Sequence, residues 1–81
     1  MNVSEAVRQR ISDLCKEKKL TVNRLSTTAG VTQSTVKDIV KGITYNPGIA
    51  TIKKICDGLD ISLREFFDSE LFDESLEQEV K

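Results

Sequence analysis

The sequence predicts a single all-α domain of five short helices. Three observations predict it: apolar residues recur at helical spacing along almost the whole chain, no run alternates apolar and polar residues as a half-buried strand does, and turn residues divide the pattern into short segments. The chain has 81 residues, which is the length of one small domain. Because so small a domain has little interior, nearly all of its apolar side chains are needed for one core.

The first predicted helix runs from about Ser4 to Lys19. Asn2 and Glu5 have the spacing of a capping box at its start. Its apolar residues step by four, four, three and one positions and therefore form one stripe: Val3, Val7, Ile11, Leu14 and Cys15. The stripe predicts that one side of this helix faces the core.

A short turn containing Gly30 follows the second predicted helix, which spans Val22 to Ala29. Thr21 is the expected N-cap of this helix. Gly30 is expected to end it, because glycine readily takes the left-handed backbone conformation that closes many helices. The apolar residue Val31 then points inward.

The third predicted helix, from Gln33 to about Lys41, has two chemically different sides. Thr32 is its expected N-cap, and Gly42 ends it. The inward side comprises Val36, Ile39 and Val40, whereas the outward side comprises Gln33, Ser34, Lys37, Asp38 and Lys41. Two helices joined by a short Gly-containing turn form a helix-turn-helix, whose second helix can lie in the DNA major groove.

Two further helices complete the predicted bundle. Pro47 and Gly48 mark the start of helix four, which runs from Ile49 to about Leu59. Its inward face is expected to carry Ile52, Ile55, Cys56 and Leu59. Ser-x-x-Glu at residues 62–65 forms a second capping box, and the apolar pattern extends helix five from Leu63 to Phe72.

Charge is distributed unevenly along the chain. The net charge is −1, but residues 1–64 carry eleven Lys and Arg against six Asp and Glu, whereas residues 65–81 carry one Lys against seven acidic residues. We therefore divide the chain into a basic helix-turn-helix domain at 1–67 and the end of helix five with an acidic tail at 68–81. The tail is interpreted as a solvated end, a shield for the basic face, or the contact site of a protein partner.

The residue inventory disfavours catalysis and metal binding. The chain has no His and only two Cys, Cys15 and Cys56, so it lacks both the commonest general base and the four ligands of a structural zinc site. We predict no cofactor, and we expect the two cysteines to be reduced core residues rather than a disulfide. No apolar run is long enough to span a membrane and no secretory signal is evident, which predicts a cytoplasmic protein.

Nineteen residues share one pattern of spacing: Leu20, Thr21, Leu25, Ala29, Gly30, Val31, Thr32, Gln33, Ser34, Thr35, Val36, Ile39, Gly42, Pro47, Ile52, Cys56, Leu59, Ile61 and Phe66. Over roughly residues 4–67 this pattern resembles the lambda-repressor and Cro family of helix-turn-helix domains, also called the xenobiotic-response-element family. The resemblance implies a DNA-binding domain that contacts double-stranded DNA.

The resemblance also implies which residues contact DNA. Positions matching base contacts are Gln33, Ser34, Lys37 and Asp38. Positions matching phosphate contacts are Thr21, Asn23, Thr32, Thr35, Lys41, Tyr45 and Asn46. The chemistry of these side chains agrees with those roles. Gln pairs with adenine, Ser can donate to or accept from base edges, and Lys donates to guanine or phosphate.

Two departures from the family pattern touch function. Val22 stands where many relatives have a Gln that contacts phosphate or braces the first recognition residue, so Gln33 is expected to be held less rigidly. Asp38 repels phosphates unless it accepts a hydrogen bond from the amino group of cytosine or bridges to a neighbouring Lys.

Aromatic and aliphatic residues near the C-terminus predict a homodimer. One domain of this kind contacts few base pairs, and a two-fold dimer reads half-sites about 34 Å apart. Phe66 is expected in the core, whereas Phe67, Leu71 and Phe72 are candidates for the dimer interface. The alternative is that all four residues cover their own core, because a small domain needs its apolar side chains.

These observations favour a sequence-specific transcription regulator, a repressor of the phage or mobile-element kind. The alternative keeps the fold but makes the chain a protein-binding module, such as an antitoxin whose acidic tail engages a basic toxin. A small enzyme is disfavoured because catalytic groups are lacking.

Overall fold

The computed structural model describes residues 2–43 and 47–73, in which all regular secondary structure is helical. The elements are α1 (Val3–Glu17), α2 (Val22–Ala29), α3 (Gln33–Lys41), α4 (Ile49–Leu59), α5 (Leu63–Phe67) and a 3-10 turn (Glu70–Phe72). The predicted all-α class is confirmed, as are the predicted bounds of α2, α3 and α4.

Local hydrogen bonds explain where α1 and α5 begin. The Asn2 side chain accepts from the Glu5 N–H at 2.9 Å, and the Glu5 carboxylate accepts from the Asn2 N–H at 3.3 Å. Ser62 and Glu65 repeat this arrangement at 3.0 and 3.3 Å. Both predicted capping boxes are confirmed, and each satisfies two N–H groups that have no partner within the helix.

The predicted ends of helix one are wrong by one residue at the start and two at the end, since α1 spans Val3–Glu17 rather than Ser4–Lys19. Lys19 adopts a left-handed conformation with φ 56°. The Leu20 N–H then donates to the Cys15 carbonyl at 2.8 Å, and the Leu20 side chain packs against the core. Partial burial of Leu20 thus accompanies an early end of the helix at a residue that is not glycine.

Helix five is also shorter than predicted, because α5 ends at Phe67 and does not reach Phe72. The Ser69 side chain accepts from the Leu71 N–H at 3.2 Å and thereby caps the separate 3-10 turn. A serine side chain that bonds to the nearby backbone competes with helix continuation. The turn packs against α1 and places the Phe72 ring 4.9 Å from that of Phe67 and 6.1 Å from that of Phe66.

One core lies between the helices. It is built from Val7, Ile11, Leu14, Cys15, Leu25, Ala29, Val36, Ile39, Ile52, Ile55, Cys56, Leu59 and Phe66. The predicted inward faces of the first four helices are therefore confirmed except at Val3, with Val22, Val31 and Val40 partly buried around the cluster. Val3, predicted to belong to the buried stripe of helix one, is 47% exposed, because it is the first residue of α1 and lies outside the core cluster.

Helices α2 and α4 approach each other closely at Gly58. A Cβ atom placed on Gly58 would lie 2.8 Å from the Ala29 Cβ and 2.9 Å from the Ala29 nitrogen. The Thr28 hydroxyl, which donates to the Arg24 carbonyl at 2.9 Å, also lies 3.4 Å from the Gly58 carbonyl across the same contact. Glycine is required here for space, although it weakens a helix interior. This contact anchors the first helix of the helix-turn-helix to the rest of the domain.

A single arginine ties α1 to the C-terminal helix. The Arg10 Nε donates to the Phe66 carbonyl at 2.7 Å, and its Nη2 donates to the Glu65 carbonyl at 2.7 Å. These carbonyls belong to the last turn of α5, where helical carbonyls lack partners within the helix and attract positive charge. The guanidinium therefore holds a five-residue helix against α1.

The two cysteines are free and buried. Burial raises the pKa of the Cys15 thiol. Burial likewise raises the pKa of the Cys56 thiol, and the nearby Asp57 carboxylate raises it further. Reactive cysteines have lowered pKa values, so these two behave as small apolar core residues.

Candidate nucleic-acid interface

The turn between α2 and α3 is formed by Gly30 and Val31. Gly30 has φ 71° and ψ 27°, the left-handed conformation expected at the end of a helix. The N–H groups of Gly30 and Val31 both donate to the Ser26 carbonyl, Val31 at 3.2 Å. Val31 then packs against the core. The turn therefore fixes the relative direction of the two helices without a long loop.

The two predicted sides of α3 are confirmed, with two side chains at intermediate positions. Val36 and Ile39 are buried, and Val40 is half-buried against the core. The exposed side chains are Gln33, Ser34, Lys37 and Lys41. Thr35 and Asp38 are half-buried at the border between the two sides. The outer side is thus a narrow polar ridge.

Three hydroxyl groups lie together at the N-terminus of α3. The Thr32 Oγ1 accepts from the Thr35 N–H at 3.2 Å, and it lies 2.7 Å from the Thr35 Oγ1 and 3.4 Å from the Ser34 Oγ. Sequence reasoning identified the cap but not the shared hydroxyl network, although the Thr-x-Ser-Thr run was its signal. The network positions Ser34, a predicted base contact, between two predicted phosphate contacts.

The start of α2 is capped in a similar way. The Thr21 side chain accepts from the Arg24 N–H at 3.1 Å. The Asn23 carbonyl accepts from the Ser26 and Thr27 hydroxyls at 2.8 and 3.0 Å, which satisfies the buried Ser26. The Asn23 side chain stays exposed. Backbone N–H groups at a helix N-terminus contact phosphates without a positive side chain.

The charged groups of α3 have no ion-pair partner within residues 2–43 and 47–73. The ion pair found there joins Lys53 and Asp57 on α4. Asp38 therefore makes no bridge to Lys37 or Lys41, which removes one of the two expected ways of accommodating its charge. Both lysines are exposed and can approach an anion directly.

Two of the predicted phosphate contacts, Tyr45 and Asn46, lie outside the described residues. Ile43 and Ile49, which precede and follow this stretch, are 65% and 62% exposed and were not singled out from the sequence. Isolated exposed apolar residues are common, so spacing gave no signal for them.

The predicted dimer residues pack partly within the chain. Phe66 is buried, as expected. Phe72 and Leu71 are half-buried, whereas Phe67 is 37% exposed. The rings of Phe66 and Phe67 meet edge to face at 5.0 Å. The three aromatic rings therefore cover one another, and the side chain of Phe67 remains the most open of them.

Residues 2–43 and 47–73 contain neither a membrane-spanning helix nor a cluster of metal ligands. None of their helices has the length and apolar character needed to cross a bilayer. They bring together no group of three side chains suited to hold a metal ion.

Comparison with known proteins agrees with the geometry of α2 and α3. A helix-turn-helix family model, of the lambda-repressor and Cro-like kind, matches residues 11–66. The chain belongs to this family. The match begins within α1 and ends at Phe66, so it contains the whole helix-turn-helix and the α2–α4 contact.

The chain is also similar to a transcriptional regulator and to a prophage protein of known structure. The chain is 34% identical over 55 residues to the HTH-type transcriptional regulator SlrR of Bacillus subtilis (strain 168), and the aligned part makes up 68% of this chain but 36% of that regulator. The crystal structure of the prophage Lp1 protein 11 matches with a TM-score of 0.78 and 39% sequence identity, covering 91% of this chain and 99% of that one. Family membership and the regulator relative support a DNA-binding regulator.

Proposed function

We propose that the chain is a sequence-specific transcriptional repressor that reads the DNA major groove with α3. The observation that carries this proposal is the outer ridge of α3, whose hydrogen-bonding side chains are exposed while the opposite side is locked into the core. A rigid helix with an open polar ridge is what base reading in the major groove requires.

Base contacts are assigned to four residues of the ridge and its border, namely Gln33, Ser34, Lys37 and Asp38. Gln33 lies at the first position of α3, and its side chain has no hydrogen-bond partner in the described part of the chain. It is thus available for bidentate pairing with adenine. Asp38, which makes no bridge to a lysine among those residues, is assigned to the amino group of a cytosine.

Phosphate contacts are assigned to the capped helix starts and the ends of the ridge. They comprise Thr21, Asn23, Thr32, Thr35, Lys41, Tyr45 and Asn46. Thr21 and Thr32 are supported by their positions at the N-termini of α2 and α3, where backbone N–H groups favour an anion. Lys41 is supported by its exposure and by the absence of an acidic partner in the described residues.

The decisive experiment is a selection of bound sequences from a random duplex pool. We expect one enriched site, on which Gln33→Ala loses about 1–3 kcal/mol of binding free energy with little change on random DNA. Gln9→Ala is the matched control, since Gln9 is an exposed glutamine of α1. No enrichment would contradict sequence-specific binding, and an equal loss on both duplexes would remove Gln33 from base reading.

The lysines are tested through salt dependence. Lys37→Ala and Lys41→Ala are expected to weaken binding and to reduce the slope of log affinity against log salt by about one for each phosphate that the chain no longer neutralises. Lys54→Ala removes the same charge from an exposed position on α4 and is the control. A lysine whose removal leaves the slope unchanged does not contact phosphate.

We further propose that two copies bind a two-fold symmetric site, with Phe67, Leu71 and Phe72 at the interface between them. The exposed fraction of the Phe67 ring supports this assignment. Half-sites about 34 Å apart are expected in the selected sequence. Sedimentation of the complex is expected to give two chains per duplex, and Phe67→Ser is expected to lower the occupancy of the second. One chain per selected duplex would contradict the dimer.

The acidic tail favours one competing function, a protein-binding antitoxin. Residues 65–81 carry seven acidic residues and one Lys, a charge that suits a basic partner. Truncation after Asp73 separates the two functions. If the chain is a repressor, the truncated chain is expected to bind DNA and to repress in cells as before. If it is an antitoxin, the truncated chain is expected to lose a bound protein partner.

A further inference from the structure

The side chain of Arg8 on α1 lies against the C-terminal end of α3. A Cβ atom placed on Gly42, the residue that ends α3, would overlap the Arg8 Nη1 and lie 3.2 Å from its Cζ and 3.8 Å from its Cδ. The arginine therefore occupies the space that any larger residue at position 42 would need. Gly42 also has φ 79°, so two independent features favour glycine there.

The electrostatic setting of Arg8 matches this position. The last carbonyl groups of a helix carry partial negative charge and favour a nearby cation. Arg8 is half-buried and has no hydrogen bond or ion pair to any residue in 2–43 or 47–73. Arg10, by contrast, is committed to the carbonyls of α5. The guanidinium of Arg8 is thus left to act on α3.

The three parts of α3 are held by different means. The Thr32 cap holds the start, and the buried Val36 and Ile39 hold the middle. In the last turn, Val40 is only half-buried and Lys41 is exposed. Arg8 packs where the apolar contacts of α3 become weakest.

We propose that Arg8 is a positioning residue for sequence reading: it holds the last turn of α3 and thereby sets the angle at which Gln33 and Ser34 meet the bases. The proposal rests on the proposed function of α3. A misplaced recognition helix loses its hydrogen bonds to bases, which need exact geometry, before it loses the non-directional attraction to phosphates.

The contact itself is tested without DNA by comparing two glycines. Gly30 and Gly42 both end helices with positive φ, but a Cβ on Gly30 would meet nothing within 4 Å. Alanine at either position is expected to raise the unfolding equilibrium constant roughly fivefold through backbone strain. Because the overlapping Arg8 atoms are the end of a flexible side chain, Gly42→Ala is also expected to displace the guanidinium.

Urea denaturation of the single and double variants measures this coupling. Adding Arg8→Ala to Gly42→Ala is expected to cause little further loss, because the guanidinium has already been displaced. Adding Arg8→Ala to Gly30→Ala is expected to give the product of the two separate effects. Independent effects in both pairs would show that Arg8 does not depend on the space beside Gly42 and would overturn the proposal.

The functional part is tested on the selected duplex and on random DNA, at a temperature where every variant is folded. Arg8→Met is expected to weaken binding to the selected duplex roughly three- to tenfold, with less than about a twofold change on random DNA and an unchanged salt slope. Gly42→Ala is expected to reproduce this loss, and the double variant is expected to add nothing. Arg64→Met removes an exposed arginine of α5 and is the control.

The remaining outcomes separate a positioning role of Arg8 from a phosphate contact and from failure of the proposed function. An equal loss on both duplexes with a smaller salt slope would make Arg8 a phosphate contact and overturn the positioning role. An unchanged preference for the selected duplex would overturn it as well. If the unaltered chain selects no duplex, the proposed function fails, while the unfolding measurements still decide whether Arg8 and Gly42 are coupled.

Discussion

The contact between α2 and α4 is tightly packed, whereas the outer side of α3 is exposed to solvent. At the first place Gly58 leaves no space for even a methyl group beside Ala29. At the second, Gln33, Lys37 and Lys41 are exposed. The residues that form the tight α2–α4 contact are therefore separate from those proposed to read bases, whereas the threonine caps of α2 and α3 both stabilise helices and are proposed to contact phosphate. Changes to the exposed base-reading side chains should leave the free energy of unfolding almost unaltered.

The largest effect is expected from Phe66→Ala, which empties a fully buried position. Loss of a buried aromatic side chain lowers the free energy of unfolding by about 3–5 kcal/mol. Phe67→Ala removes the same group from a position that is 37% exposed and is expected to cost about 1 kcal/mol. Gln33→Ala should stay within about 0.5 kcal/mol of the unaltered chain. Urea denaturation measures all three, and equal losses for the two phenylalanines would show that burial does not distinguish the two positions.

A smaller loss, about 2 kcal/mol, is expected from Arg10→Met. The substitution removes two hydrogen bonds from a charged donor to the Glu65 and Phe66 carbonyls but keeps a long aliphatic side chain. Arg64→Met is the control, because Arg64 is exposed. The urea concentration at the unfolding midpoint of both variants measures this loss. If Arg10→Met were as stable as Arg64→Met, the link between α1 and α5 would contribute nothing.

Substitution of serine for glycine is expected to have opposite effects on stability at two positions. Gly58→Ser forces side-chain atoms into the backbone of Ala29 and is expected to lower the free energy of unfolding by about 1–2 kcal/mol. At Gly48, the N-cap of α4, there is open space and no side-chain cap. Gly48→Ser is therefore expected to raise stability by a few tenths of a kcal/mol. The same sign at both positions in denaturation experiments would argue against the tight α2–α4 contact.

The smallest effect is expected from the two buried cysteines. Burial raises the pKa of both thiols in the folded chain, so as pH increases the unfolded chain loses these protons first. Their contribution to stability is fully present below about pH 9 and is lost as pH rises above it. Denaturation at about pH 8 and about pH 10 measures this loss. In the double variant Cys15→Ala/Cys56→Ala the decline should be shallower, and an identical decline would assign it to other groups.

The candidate site was largely predictable because its signals are local. Thr32, Gly42 and the apolar spacing of Val36 and Ile39 defined α3 and its outer side, and the structure confirms them. The half-buried state of Asp38 and the position of the Arg8 side chain beside Gly42 were not predictable. Both depend on which neighbouring helix approaches α3, and the sequence around them does not contain that information.

What the sequence alone determined is the helical content, the caps at Asn2 and Ser62, and the separation of an inward from an outward side on each longer helix. These follow from hydrogen bonds and spacings within a few residues. The early ends of α1 and α5 involve hydrogen bonds between residues a few positions apart, accompanied by packing on the core that exists only in the folded chain. The contact of Gly58 with α2 and the reach of Arg10 to α5 were decided only in the tertiary structure. These two features join residues tens of positions apart, and their energies exist only once the core has brought the helices together.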